Sequence, residues 1–123
     1  MEFKKNQTIY LQIADLICEN ILTEKWAVEE KIASVREFAG IMEVNPNTIM
    51  RTYTYLQDKG IIYNKRGIGF FVATDAPSNI QNIEKENFLK TEVPELFKKL
   101  DMLKMDFSEL ESLYKKYSKN GKH

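Results

Sequence analysis

The chain has 123 residues, 29% of them charged and 43% hydrophobic. That length suits one domain, or one domain with a small appendage, and that balance describes a soluble globular protein rather than a disordered one. Eighteen basic residues offset eighteen acidic ones, so net charge alone gives no argument for nucleic acid.

The distribution of charge says more. Residues 1–30 hold three Lys and six acids, whereas residues 31–72 hold six Lys/Arg and three acids. Cys18 is the single cysteine, so no disulfide can form within the chain, and it reads as a small buried hydrophobe. His123 is equally alone, and no metal site is expected. No apolar run reaches the roughly 18 residues of a membrane span. The opening "MEFKKNQTIYLQ" lacks the apolar core of a signal peptide, so a cytoplasmic protein is expected. No phosphate-cradling glycine loop, cofactor lysine or nucleophile–base pair is visible, so neither a cofactor nor catalysis is expected.

In chain order, Ile9, Ile13, Leu16, Ile17 and Ile21 mark one face of a first helix. "TEKWAVEEKIA" has no clean period and reads as a connection, with Trp26 and Val28 covering the core edge. In "SVREFAGIME", Ser34 and Glu37 form a capping box, and Val35, Phe38, Ala39 and Met42 form the apolar face of a short second helix. Asn45 then caps a third helix, with Pro46 in its first position and Ile49, Tyr53 and Leu56 as its buried stripe. Gly60 ends that helix. Only a few residues separate the second and third helices, the spacing of a helix-turn-helix.

Ile61–Tyr63 and Phe70–Val72 are strand formers, and "NKRGIG" between them supplies a hairpin loop with two cations and two glycines. Three helices followed by a basic-tipped hairpin make a winged helix-turn-helix. "TDAPSN", residues 74–79, reads as a linker, dividing the chain into residues 1–76 and 77–123. Beyond it, Ile80, Ile83, Phe88, Leu89, Phe97, Leu100, Leu103 and Met105 suggest one helix kinked at Pro94. Ser108 and Glu111 read as the capping box of a short last helix carrying Leu110, Leu113, Tyr114 and Tyr117, with "SKNGKH" frayed. These helices cannot bury their apolar faces alone, so the fold class expected is mainly α with a small hairpin, plus a short C-terminal helical dimerisation unit. A fragment ending near Ala76 is expected to stay folded and become monomeric.

The stretches "IYLQIADLICENI", "SVREFA", "VNPNTIMRTYTYLQDKGII" and "KRGIGFFV" resemble, in order and spacing, the DNA-binding domain of the GntR family of bacterial transcriptional regulators. The "VNPNT" form and the short tail resemble its YtrA subfamily. The resemblance implies a homodimer that binds a palindromic operator in double-stranded DNA, usually as a repressor. It implies Asn47, Thr48 and Arg51 on the recognition helix, with Asn45 first of all its cap, a role compatible with a DNA contact. It adds Arg36 at the start of the second helix, and Lys65, Arg66 and Gly67 at the wing tip. Two departures stand out. Glu24 and Glu29 occupy positions where the family has glycine, which predicts a different path for the connection. Pro46 and Met50 replace residues that are often basic. The balanced charge also keeps a winged-helix protein-interaction module open as an alternative.

Overall fold

The computed structural model describes residues 7–120. Its elements run α1 (Ile9–Leu22), α2 (Val35–Met42), α3 (Pro46–Asp58), β1 (Ile62–Lys65), β2 (Gly69–Val72), α4 (Ala76–Lys90), α5 (Glu92–Met102) and α6 (Phe107–Asn120). They fall into two compact units, one reaching Ile83 and the other starting at Glu84.

In the first unit, α1 and α2 both pack on α3. Ile13, Ala14, Ile17, Cys18 and Ile21 of α1 are buried, and so are Phe38 and Ala39 of α2. Ile9, expected in the stripe, is exposed, because it stands in the first turn beyond the edge of the core. Ile49, Tyr53 and Leu56 of α3 are fully buried. Each such side chain contributes roughly 1.5–3 kcal/mol by leaving water.

The two local starts read from sequence form as expected. Ser34 Oγ accepts from the Glu37 N–H at 3.1 Å, and Glu37 Oε1 accepts from the Ser34 N–H at 2.9 Å. Asn45 Oδ1 accepts from the Asn47 N–H at 2.8 Å, and Pro46 takes the first helical position. The turn between α2 and α3 passes through Glu43, which adopts left-handed φ 56° and ψ 48°.

Gly60 ends α3 with φ 74°. A Cβ there would lie 2.8 Å from Asn79 Nδ2, which itself donates to the Gly60 carbonyl at 2.9 Å. Residues 74–79 are therefore not a linker. Helix α4 begins at Ala76, and Ala76 and Ile80 are buried in the core of the first unit. A chain cut at Ala76 would sever a packed helix, so the expected folded fragment must extend at least to Ile83, which also packs against this core.

Strands β1 and β2 pair antiparallel, Ile62 with Val72 through to Lys65 with Gly69. The segment before α2 joins them. Lys31 bridges Phe71, the Glu29 N–H donates to Val72 O at 2.8 Å, and the Ile32 N–H donates to Phe70 O at 2.9 Å. Its supposedly substituted positions keep the backbone a glycine would take, with φ 62° at Glu24 and 66° at Glu29. The expected departure of the connection at these two positions is thus not seen. Trp26 packs edge-on against Phe38 with centroids 5.7 Å apart, whereas Val28 is exposed and stands outside the core cluster.

The expected kinked helix is two helices, α4, which begins in the first unit, and α5 of the second, divided at Thr91. The cause is Pro94, whose ring would clash with the carbonyl four residues back, at Lys90. Pro94 itself sits in the first turn of α5, where its missing N–H has no intrahelical partner to lose. The last capping box also moves. Asp106 Oδ1 accepts from the Glu109 N–H and Glu109 Oε2 from the Asp106 N–H, both at 3.3 Å, so Asp106 and Glu109 replace Ser108 and Glu111. Residues 118–120, expected to fray, complete α6. The rest of that expected tail, with His123, lies outside the described residues.

Candidate nucleic-acid interface

The face of α3 opposite its buried stripe carries Asn47, Met50, Arg51 and Thr54, all exposed. Their spacing of three, four and seven residues aligns them along one side of the helix. Met50 stands where relatives are often basic, as expected, whereas Thr54 is not among the residues expected from sequence, although its distance of seven from Asn47 is the signal that finds it. Thr48 is half-buried, and its N–H is taken by Asn45 O at 2.9 Å. Asn45 has its side-chain oxygen engaged as the cap, so its amide nitrogen is the atom left to reach a ligand.

Three contacts tie α3 to the segments around it. Thr52, buried despite its hydroxyl, donates to the Tyr10 carbonyl at 2.8 Å and approaches Thr48 O at 3.0 Å. The Tyr53 hydroxyl donates to Ala33 O at 2.7 Å. Burial, with the nearby Glu37 charge, holds that phenol well above its ordinary range, so it stays a donor at any physiological pH. The Arg51 guanidinium carbon lies 4.2 Å from the centroid of the Tyr10 ring.

Arg36 is exposed in the first turn of α2, beside the capped N-terminus. At the hairpin, the Ile68 N–H closes a turn onto Lys65 O at 2.8 Å, with Gly67 at φ 79°. Nothing lies within 4 Å of a Cβ placed on Gly67, so its conformation, not its space, requires glycine. Arg66 projects at the tip together with exposed Ile68, while the Lys65 ammonium lies 4.8 Å from the Phe71 ring centroid.

The base of the hairpin is tied by Glu29, whose carboxylate accepts from the Thr74 hydroxyl and, at 2.6 Å, from the Tyr63 hydroxyl. Those two donors, Thr74 first, hold the Glu29 carboxyl below its ordinary range, with Lys65 adding to the effect. Among the described residues, no cluster of His, Cys, Asp and Glu could hold a metal ion, and no helix is long and apolar enough to cross a membrane.

Three helices with a solvent-facing third helix, followed by a two-stranded wing, define a winged helix-turn-helix protein. The family of bacterial regulatory proteins named GntR matches residues 9–72, and the chain belongs to it. It is 43% identical over 75 residues to the HTH-type transcriptional regulator YhcF of Bacillus subtilis, itself uncharacterized, covering 61% of this chain and 62% of YhcF. It is 34% identical over 77 residues to the HTH-type transcriptional repressor YtrA of Bacillus subtilis, covering 63% of this chain and 59% of YtrA. The matches thus span about six-tenths of these curated relatives. A crystal structure from Bacteroides thetaiotaomicron, described as a transcriptional regulator of the GntR family, shares 47% identity at a TM-score of 0.80, covering 94% of this chain and 100% of that one.

Proposed function

We propose that this chain is a cytoplasmic, homodimeric, sequence-specific DNA-binding regulator that represses transcription from a palindromic operator. The observation that carries this reading is the exposed polar face of α3, with Asn47 and Arg51 one turn apart over a fully buried stripe. In a major groove that face meets base edges, and Asn45, Thr48 and Arg36 lie toward the phosphates. Lys65, Arg66 and Gly67 at the wing tip then meet the neighbouring backbone or minor groove. The printed role of YtrA, a repressor, supports the sign of regulation.

The dimer is supported by the second unit. An open, almost wholly apolar groove of about 500 Å³ lies between Leu96 of α5 and Phe107, Leu110, Leu113, Tyr114 and Tyr117 of α6. A two-fold dimer requires operator half-sites about 34 Å apart, or a multiple of that.

A duplex selected from a randomised pool by the full chain provides the test. Arg51→Ala and Asn47→Ala should weaken binding to it by roughly 1–3 kcal/mol more than binding to a scrambled duplex. Arg66→Ala should weaken both alike and flatten the salt dependence. Folded Arg51→Ala and Asn47→Ala variants with unchanged discrimination would overturn the reading and favour the protein-interaction alternative, which the balanced charge also suits.

A further inference from the structure

The third helix is not docked on α1 through its apolar stripe alone. Arg51 and Tyr55 of α3 and Lys59 at its C-cap follow at intervals of four, and Tyr10 of α1 enters that row. Its ring lies under the Arg51 guanidinium at 4.2 Å and meets the Tyr55 ring edge-on at 6.5 Å. The Lys59 ammonium lies 5.8 Å from the Tyr55 ring centroid. The Tyr10 backbone is held as well, since its carbonyl accepts from Thr52 Oγ1 at 2.8 Å. Tyr10 is therefore tied to α3 at both ends, by main chain and by ring.

We infer that Tyr10 is a positioning residue for sequence recognition, presenting the Arg51 guanidinium to base edges through its ring. This rests on the reading of the α3 face given above. A guanidinium is planar, and its donors lie around its edge. A ring under the guanidinium carbon restrains a long side chain through a cation–π contact, which spends none of the N–H donors that grip a guanine bidentately. Without the ring, Arg51 must lose that freedom on binding, and discrimination falls while phosphate contacts remain. Met50, the other exposed long side chain nearby, has no such donors, so the presented edge of Arg51 carries more of the reading.

The test uses the full chain, the pool-selected duplex and a scrambled one. Tyr10→Leu should lower the ratio of selected to scrambled affinity about two- to five-fold, the size of an exposed cation–π contact, and leave scrambled binding unchanged. Tyr10→Phe, which keeps the ring, should restore the ratio. Arg51→Lys, a surface change that leaves the core intact, should lower it even if Tyr10→Leu fails to fold. NMR of the DNA-free protein gives an independent reading: the Arg51 side-chain protons should be shifted upfield in the wild type and Tyr10→Phe, but not in Tyr10→Leu. Absence of that shift from the wild type would overturn the stack itself. A shift that is present, with Arg51→Ala losing discrimination and folded Tyr10→Leu keeping it, would overturn the positioning role. Arg51→Ala keeping discrimination while the shift persists would instead overturn the reading of the α3 face, and this inference with it.

Discussion

Helices α3 and α6 are nearly equal in length, 13 and 14 residues, and each carries an aliphatic and aromatic stripe. Ile49, Tyr53 and Leu56 of α3 are each 0% exposed. Phe107, Leu113, Tyr114 and Tyr117 of α6 are 55–66% exposed. The first unit encloses its apolar residues with three helices, a hairpin and the start of α4. The second leaves its apolar face to water, at a cost of roughly 25 cal/mol for each Å² that association would cover. Stability of the first unit is thus a property of one chain, whereas that of the second is tied to protein concentration if copies pair.

The largest effect should come from breaking the enclosed side. Tyr53→Ala removes a fully buried ring that touches Phe38 and Phe70 and leaves the Ala33 carbonyl without its donor. It should cost about 3–5 kcal/mol, read from urea denaturation of the first unit. A loss below about 1 kcal/mol would mean that the core is not closed around this residue.

Next comes the open side. Leu113→Asp with Tyr114→Asp places two charges in the α5–α6 groove. If copies pair there, sedimentation should show the dimer weakened at least ten-fold, on the order of 1.4 kcal/mol or more, with the first unit melting as before. A dimer of unchanged affinity would place the interface elsewhere.

Smaller still is Glu43→Gly. A left-handed non-glycine residue is strained by about 1 kcal/mol, and the gain on relieving it is partly offset by the freer unfolded chain. The variant should therefore be slightly more stable, by about a few tenths of a kcal/mol in thermal melts. A destabilised variant would show that the Glu43 side chain contributes a contact of its own.

The smallest effect concerns Glu29, which is exposed. Its carboxyl is held below the ordinary range in the fold. The resulting stability is present above the unfolded chain's glutamate range and is lost as pH falls through the lowered value. Glu29→Gln should therefore flatten the acid side of the first unit's stability profile, measured by urea melts at several pH values. Parallel profiles would mean that Thr74 and Tyr63 hold the carboxylate no better than water does.

What could be seen from sequence follows the same division. The caps at Ser34 and Asn45 were legible because each is closed by atoms within three residues. The stripe of α3 was legible because its period alone decides which side faces inward. Residues 29–32 were not, since their pairing with β2 is decided by distant residues that no local pattern contains. Glu24 and Glu29 misled because a glycine signal was absent where the left-handed backbone was nonetheless imposed by the fold. The linker at 74–79 misled because Pro77, near a helix start, reads like Pro in a loop. Asn47 and Arg51 stood out in the sequence as polar residues on a helix end, but Tyr10 did not: its relation to Arg51 exists only once α1 and α3 are packed.

The bridge between Lys31 and Phe71 also sets an order of events in time. A two-stranded hairpin is marginal by itself, and here its second strand, β2, gains a partner from about forty residues upstream. Closing so long a loop must wait until α1, α2 and α3 have brought its ends together. The wing should then be the last part of the first unit to form and an early part to open. Amide exchange at Glu29, Ile32 and Val72, whose N–H groups make the joining bonds, should outpace exchange at Tyr53 and Leu56 in the middle of α3.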